Sequence, residues 1–443
     1  MYISEQLGQF GSSFRAAQVD ELVLHHAKRA IVDWYAALIP GYVMEPTPLL
    51  EQAYSEDLDR GQARLALGRQ ATVRAAALIN GSASHTAEVD DIFKEAIYHP
   101  GAPTISAALA VAQQEGVSGL ELIKAVIVGY EISTRIGKVL GREHYKYWHN
   151  TGTVGTFGAA AAAAYLLGLD ATRFTHALCT AATFAAGLQQ AFKMDSMSKP
   201  LHSGRAAEAG VAAAQMAREG VTGSLDVFEG TYGLGVAMSN GPEWSAVMAD
   251  LGQRFNITAM TFKNHACCGH TFAPIDGALV LQKQHGLDWA QIAHVCVETY
   301  SPALAVAGNP APRTPAEARF SIPFVVSTAL RYGSVRLSAF APERLADPDL
   351  LALMQKVELK VHPELDSKFP GQRAALVTLR MHDGSSYSYL QPTRKGDPDM
   401  ALTDEELQGK FNELVEPVLG KARCAAVTQA LWQLEQVTDL HAF

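Results

Sequence analysis

Cysteine is scarce in this chain: five residues in 443 (Cys179, Cys267, Cys268, Cys296 and Cys424), an odd number without the spacing of a disulfide framework. Adjacent cysteines such as Cys267 and Cys268 rarely bridge each other, so the thiols read as free, in a reducing, cytoplasmic compartment. The chain does not open on a basic segment followed by an apolar run, so no signal peptide is expected. Positive charge is also short: Lys and Arg number 36 against 45 Asp and Glu, a net charge of −9. Nucleic acid is thereby excluded as the main partner, because phosphate binding needs a basic face. Any anion site must be locally basic within an acidic protein. The most apolar run, VGTFGAAAAAAYLLGL at 154–169, is rich in alanine, which adds little to membrane insertion. It reads as a close-packed buried helix, not a membrane span.

Cofactor signatures are lacking too. No P-loop, HExxH or GxSxG elbow occurs. The glycines of GTVGTFG (152–158) and GTYGLG (230–235) follow no predicted strand, so dinucleotide binding is not expected. Cys267, Cys268 and His270 have ligand chemistry, but no second pair such as CxxC accompanies them, and no metal site is expected.

What is present is enough apolar residue, 48%, for a large core and two domains. Apolar residues recur at helical spacing over 19–38, 71–80, 104–114 and 119–140. The stretches 170–191 and 205–218 are rich in alanine, which lets helices approach closely. The character changes after about residue 265. HVCVETY (294–300) and VELKVH (357–362) alternate like strands, and AALVTLRM (374–381), His382-Asp383-Gly384 and SSYSYL (385–390) read as a hairpin. Thr403 and Glu406 have the spacing of a capping box, and 421–434 returns to helix. The chain is therefore expected to be mainly α: a helical domain from 1–265 and 401–443, with an α+β lid inserted at 266–400.

Four segments carry chemistry. KMDSMSKPLHSGR (193–205) sets Lys199, His202 and Arg205 at spacings of three. Pro200 places Lys199 on a loop, with the helix starting at Ser203 or Gly204, and cations at a helix entry suit carboxylates. KNHACCGH (263–270) packs Lys263, His265, Cys267, Cys268 and His270 together. A thiol beside lysine and histidine is expected to have a lowered pKa and to serve as base or nucleophile. HTAEVDDIFKEAIYHP (85–100) brings Glu88, Asp90, Asp91 and His99 close, where crowded carboxylates raise one pKa and suit acid–base work; a solvated helix start is the alternative. His149 stands at the entry to the alanine helix, where it faces an anion or packs against Trp148.

In order along nearly the whole chain, the block from His85 to Asp91, His99-Pro100, GYEISTRIG (129–137), the run from His149, SKPLHSGRAAEAG (198–210), the Lys263 block and ARFSIPF (318–324) resemble the MmgE/PrpD family. That family includes 2-methylcitrate dehydratase, cis-aconitate decarboxylase and iminodisuccinate epimerase. The resemblance implies a helical domain formed by both chain ends, an α+β lid, a homodimer, and no metal or organic cofactor. His149, Lys199 and Lys263 stand where family members place site residues, and His99 does so with a one-residue shift. The decarboxylase pattern has aspartate at Glu88, threonine at Ile92, a histidine near Cys268 and a tyrosine near Phe324. The usual aromatic-Pro after the lysine is His265-Ala266 here.

These departures point away from cis-aconitate decarboxylation and leave a thiol where a histidine would be. The first expectation is thus an isomerase or epimerase that abstracts a proton beside a carboxylate of a small di- or polycarboxylate. A lyase of the same family is the alternative, and a non-catalytic small-anion binder is a second. His149, Lys199, Lys263, Cys268 and His99 are expected to be catalytic. Asp91, Glu88, His202, Arg205 and His270 are expected to bind substrate. Lys199, His149, Lys263 and Cys268 are expected to converge in a cleft. The homodimer is expected to form on the alanine-rich helices at 154–169 and 205–218, which offer more close-packing faces than one layer needs.

Overall fold

A computed structural model describes residues 1–193, 196–369 and 371–443. The chain forms two compact units, Met1–Phe262 with Thr403–Phe443, and Lys263–Leu402. The fold is mainly helical, with two small sheets among the described residues.

In the first unit the long helices Glu21–Tyr42, Val73–Thr86, Gly101–Glu115, Gly119–Tyr145, Asn150–Leu166 and Ser198–Arg218 pack around one another. The alanine helix, Asn150–Leu166, lies at the centre, and every one of its residues is buried. Small side chains make that possible. A methyl group added at Gly210 would lie 2.5 Å from Ala159 Cβ, and one at Gly155 would lie 2.6 Å from Pro103 Cγ. Backbones that close leave no room for larger residues and gain dispersion contact along their whole length. The packing faces of the 154–169 helix are therefore consumed inside the unit, while Met216 of the 205–218 helix stays exposed. No described helix is long and apolar enough to cross a membrane.

Helix ends follow local chemistry. Asp20 and Asp170 accept from the amides of Leu22 and Arg173, and Thr403 with Glu406 forms the expected capping box. The stretch expected as one helix at 170–191 stops at Phe184. Gly187 then takes φ +131°, and only a short 3-10 turn, Gln189–Phe192, follows. The helix expected to begin at Ser203 or Gly204 begins at Ser198. Pro200 sits in its first turn, where amides have no intrahelical partner and proline costs nothing. A small hairpin of β1 (Leu58–Arg64) and β2 (Gln70–Ala71) was not expected. Most of β1 is exposed, so its sequence carries no alternation.

The second unit holds a four-stranded sheet. Its strands are β3 (Ile292–Thr299), β4 (Val357–Val361), β5 (Ala375–Met381) and β6 (Ser386–Gln391), in the order β4-β3-β5-β6. β3 and β4 run parallel and the other pairs antiparallel; Val295 faces Leu379 and Val297 faces Val377. Those four side chains share a core with Ala278 and Leu281 of the Phe272–His285 helix and Ile322, Val326 and Leu330 of the Ile322–Tyr332 helix. The β5–β6 hairpin turns at Gly384, whose φ of +87° needs glycine.

The chain's C-terminal segment is tied into the first unit by a buried ion pair. Lys410, fully buried on the Asp404–Leu419 helix, donates to Asp33 Oδ1 at 2.6 Å and to the Val89 carbonyl at 2.6 Å. Removing one member of such a pair leaves a buried charge uncompensated. Lys410→Met is expected to destabilise the protein by about 3–5 kcal/mol. The double change with Asp33→Leu should recover much of the loss. Denaturant unfolding of the three proteins measures both effects.

Candidate active site

The segment between the Val73–Thr86 and Gly101–Glu115 helices is not a solvated helix start. His85, in the last turn of the first helix, is fully buried, as are Asp90 and Asp91. Asp90 Oδ2 meets His85 Nδ1 at 2.7 Å and His99 Nδ1 at 3.2 Å. Burial pushes the Asp90 carboxyl up, but the combined attraction of His85 and His99 outweighs it and holds the group well below the usual carboxylate range. Asp91 points elsewhere. Its Oδ1 accepts from the Gly101 amide at 3.0 Å and its Oδ2 accepts from the Tyr130 hydroxyl at 2.8 Å. Burial, with repulsion from Asp33 and Asp90, pushes the Asp91 carboxyl well above its ordinary value. Asp91, expected to bind substrate, instead anchors the Gly101–Glu115 helix. Two neighbouring carboxylates thus end at opposite extremes.

The backbone of this segment is strained at two points. Glu88 takes φ +60°, and Ile97 sits in the left-handed region at φ 49° and ψ 52°, a costly place for a β-branched residue. The second of these turns the chain so that His99 lies beside Asp90, with its amide on Thr151 Oγ1 at 3.3 Å.

His149 is the N-cap residue of the alanine helix and is 2% exposed. Its ring stacks on His85, with centroids 5.5 Å apart, and meets Phe192 edge-on at 4.8 Å. Its Nδ1 lies 3.1 Å from Nδ1 of His202. Burial, then His85, Lys199, His99 and His202, holds the His149 pKa well below its ordinary value. Burial, then His85 and Lys199, lowers His202 as well. One ring therefore donates and the other accepts, and both are neutral at pH 7.

Lys199 and His202, three residues apart on one helix, share a face. Lys199 forms an ion pair with Glu88 and lies over the Phe192 ring at 5.4 Å. Arg205 does not join them. Helical geometry rotates it about 120° from Lys199, and its exposed side chain pairs with Glu208. The substrate-clamping role expected of Arg205 is thus not supported by its position.

The remaining expected residues lie in the second unit. His265 Nε2 meets Asp276 Oδ1 at 2.8 Å, and Cys267 Sγ meets Thr271 Oγ1 at 3.0 Å. Lys263 is buried, and His270 Nδ1 meets the Tyr300 hydroxyl at 2.8 Å. Burial, then Arg373 and Arg394, lowers His270 to about 4. The activated thiol is corrected. Burial raises the Cys268 pKa and outweighs the pull of Arg373, Lys263 and Arg394. Cys267 is pushed up to about 12. The adjacent lysine suggested a lowered value because sequence shows neighbours but not desolvation.

The sequence reading left His85, Asp90 and Phe192 out of the site. His85 and Asp90 stood within the quoted block, but only the turn after the helix end brings them together. The ligand atoms of His85, Asp90 and His99 lie within 4.8 Å of one another, close enough to hold a metal ion. The same atoms are engaged in the contacts just described, and an aspartate that orients two imidazoles accounts for them equally well.

Residues 5–247 match the MmgE/PrpD N-terminal domain and residues 265–434 match the MmgE/PrpD C-terminal domain. The chain belongs to the MmgE/PrpD family. Among its relatives is a cis-aconitate decarboxylase-like protein, oryM, of Aspergillus oryzae, 27% identical over 99% of this chain and 95% of its own length. The cis-aconitate decarboxylases of Homo sapiens and Aspergillus terreus are each 26% identical over 99% of this chain, covering 92% and 94% of their own lengths. The MmgE/PrpD relatives of this chain are thus enzymes, and the matches run through both units.

The lowered histidines have a consequence for stability. His149, His202 and His144, the last lowered to about 4 chiefly by burial, are neutral in the folded protein. Unfolding returns each to about 6.5, so the unfolded chain takes up protons first as the pH falls. The stability these groups confer is complete above about pH 6.5. It declines below that and is lost once the pH passes the folded-state values. Each such ring steepens the decline by up to about 1.4 kcal/mol per pH unit. Denaturant unfolding at pH 7.5 and 5.5 should show the loss, and His149→Gln should reduce it.

Proposed function

We propose that this protein is a lyase of small polycarboxylates that works by proton transfer at a carbon next to a carboxylate. The observation that carries the reading is the array of buried Asp90, His85 and His149 with half-buried His99 and His202, and Lys199 at its edge. The His149 and His202 imidazoles, held low first by burial, can take a proton and, once protonated, give it back, and an ammonium group beside them can hold a carboxylate and meet charge that develops on it. The substrate class follows from the relatives, whose names give cis-aconitate and its decarboxylation.

Two lyase outcomes use these groups. In decarboxylation the carbon–carbon bond breaks, carbon dioxide leaves, and the electron pair left on carbon takes a proton from a general acid of the site, which solvent then reprotonates. In dehydration an imidazole removes the carbon-bound proton, and a second group protonates the departing hydroxyl. Asp90 serves both by fixing Nδ1 of His85 and His99, so that Nε2 of each ring is the atom that exchanges protons. Epimerisation ranks lower than it did from sequence. It needs a base on one face of the carbon and an acid on the other, and the thiol expected for one face keeps its proton and is a poor base. The homodimer implied by the family belongs to this proposal, and light scattering at micromolar concentration tests it.

Turnover of cis-aconitate, citrate and 2-methylcitrate in deuterated water, followed by NMR, tests the function. The expected result is an alkene product, with or without carbon dioxide. Deuterium exchange without net conversion would make the protein an isomerase, and saturable binding without exchange would make it a binding protein. His149→Gln should lower kcat by about 10²–10⁴-fold. Asp90→Asn should lower kcat and change its pH profile while leaving KM nearly unchanged. Cys268→Ser should change turnover little; a large loss would restore the thiol to the mechanism. Dialysis against a chelator should leave activity intact. Loss of activity with recovery on added zinc would reassign His85, Asp90 and His99 as metal ligands.

A further inference from the structure

Arg373 stands just before β5, half-buried, and among the described residues no carboxylate lies within ion-pair reach of it. Its neighbour Arg394 differs. Arg394 is buried, and its fork is closed on Asp397, with Nε to Oδ2 at 3.1 Å and Nη2 to Oδ1 at 2.9 Å. Both guanidinium groups converge on Gly269. A methyl group there would lie 2.8 Å from Arg394 Nη1 and 3.9 Å from Arg373 Nη1. The missing side chain lets Arg394 come up against the backbone. Phe369 and Tyr300, stacked at 4.6 Å and 15°, form a wall on which Arg373 rests at 5.9 Å and against which His270 packs.

The charges here do not balance. Asp397 answers Arg394, while Asp276 is occupied by His265 and the Lys395 amide. Burial first, and then the two guanidinium groups, hold His270 neutral. A desolvated guanidinium without an anion is costly, and its flat fork matches a carboxylate in two-point contact. We propose that Arg373, beside Arg394 and over Gly269, is a carboxylate-binding residue of the Lys263–Leu402 unit. The inference rests on the reading above that the protein acts on polycarboxylates, and it names a residue that reading does not use.

Tricarballylate, a tricarboxylate without a leaving hydroxyl or a double bond, is the probe. Calorimetric titration of the full chain should give saturable binding. Arg373→Gln should weaken it by about 10- to 100-fold, as for loss of a charge-assisted bidentate contact, and Arg373→Lys should restore part. Carbon-13 NMR of labelled histidine gives a local readout. The His270 pKa should rise from about 4 in Arg373→Gln. It should also rise when tricarballylate is added to the wild type, but not when it is added to Arg373→Gln. If Arg373→Gln does not fold, Arg373→Lys carries the test, since it keeps the charge and loses the fork. Wild-type binding that both variants retain within about twofold would overturn this inference alone. A wild type that neither binds tricarballylate nor turns over any polycarboxylate would overturn it together with the reading on which it rests.

Discussion

The ammonium group of Lys410 is fully buried, and the first unit is arranged to satisfy it. It takes Asp33 from the Glu21–Tyr42 helix and the carbonyl of Val89, the residue immediately before Asp90. A buried amine of this kind is costly unless its donors are met, so the position of the site segment is fixed by a residue some three hundred positions away. Its effect reaches the neighbouring aspartates. Asp33, held in place by Lys410, repels Asp91 and helps to keep that group high, while Asp90, one residue nearer, is held low by two histidines.

Small residues do the complementary work. The alanine helix can lie at the centre because its neighbours approach to backbone distance, and its N-cap, His149, is carried with it into the interior. The imidazole therefore arrives desolvated against His85 and His202. Its low basicity comes first from burial and only then from its neighbours. Packing and acid–base chemistry are one constraint here. A larger residue on the facing helix, at Gly210 for example, would displace the helix that carries the histidine.

Most of the fold could be read from the sequence, because its signals are local. Helical spacing, the Thr403 and Glu406 box and the Asp383-Gly384 turn each specify structure within a few residues. What failed depended on context. Pro200 was read as a barrier before a helix, when a first turn tolerates it. The stretch at 170–191 was read through Gly187, and β1 has no buried face to announce it. The site was legible in the same measure. Residues at helical spacing, Lys199 and His202, could be paired from sequence, and so could His99 with the acidic block. Asp90 and Asp91 could not be told apart, since they differ only in which way one peptide turns them. Cys268 was misjudged because its charged neighbours are visible in the sequence and the desolvation that overrules them is not.

The same competition between burial and charge separates the two units chemically. Around His149, burial and positive neighbours act in one direction, so the imidazoles are left uncharged and able to accept a proton. Around Cys268 they act in opposite directions and burial prevails, so the thiol keeps its proton although arginines surround it. Positive charge therefore does not make a nucleophile here. In the second unit Arg373 stands half-buried beside Arg394, with no ion pair among the described residues.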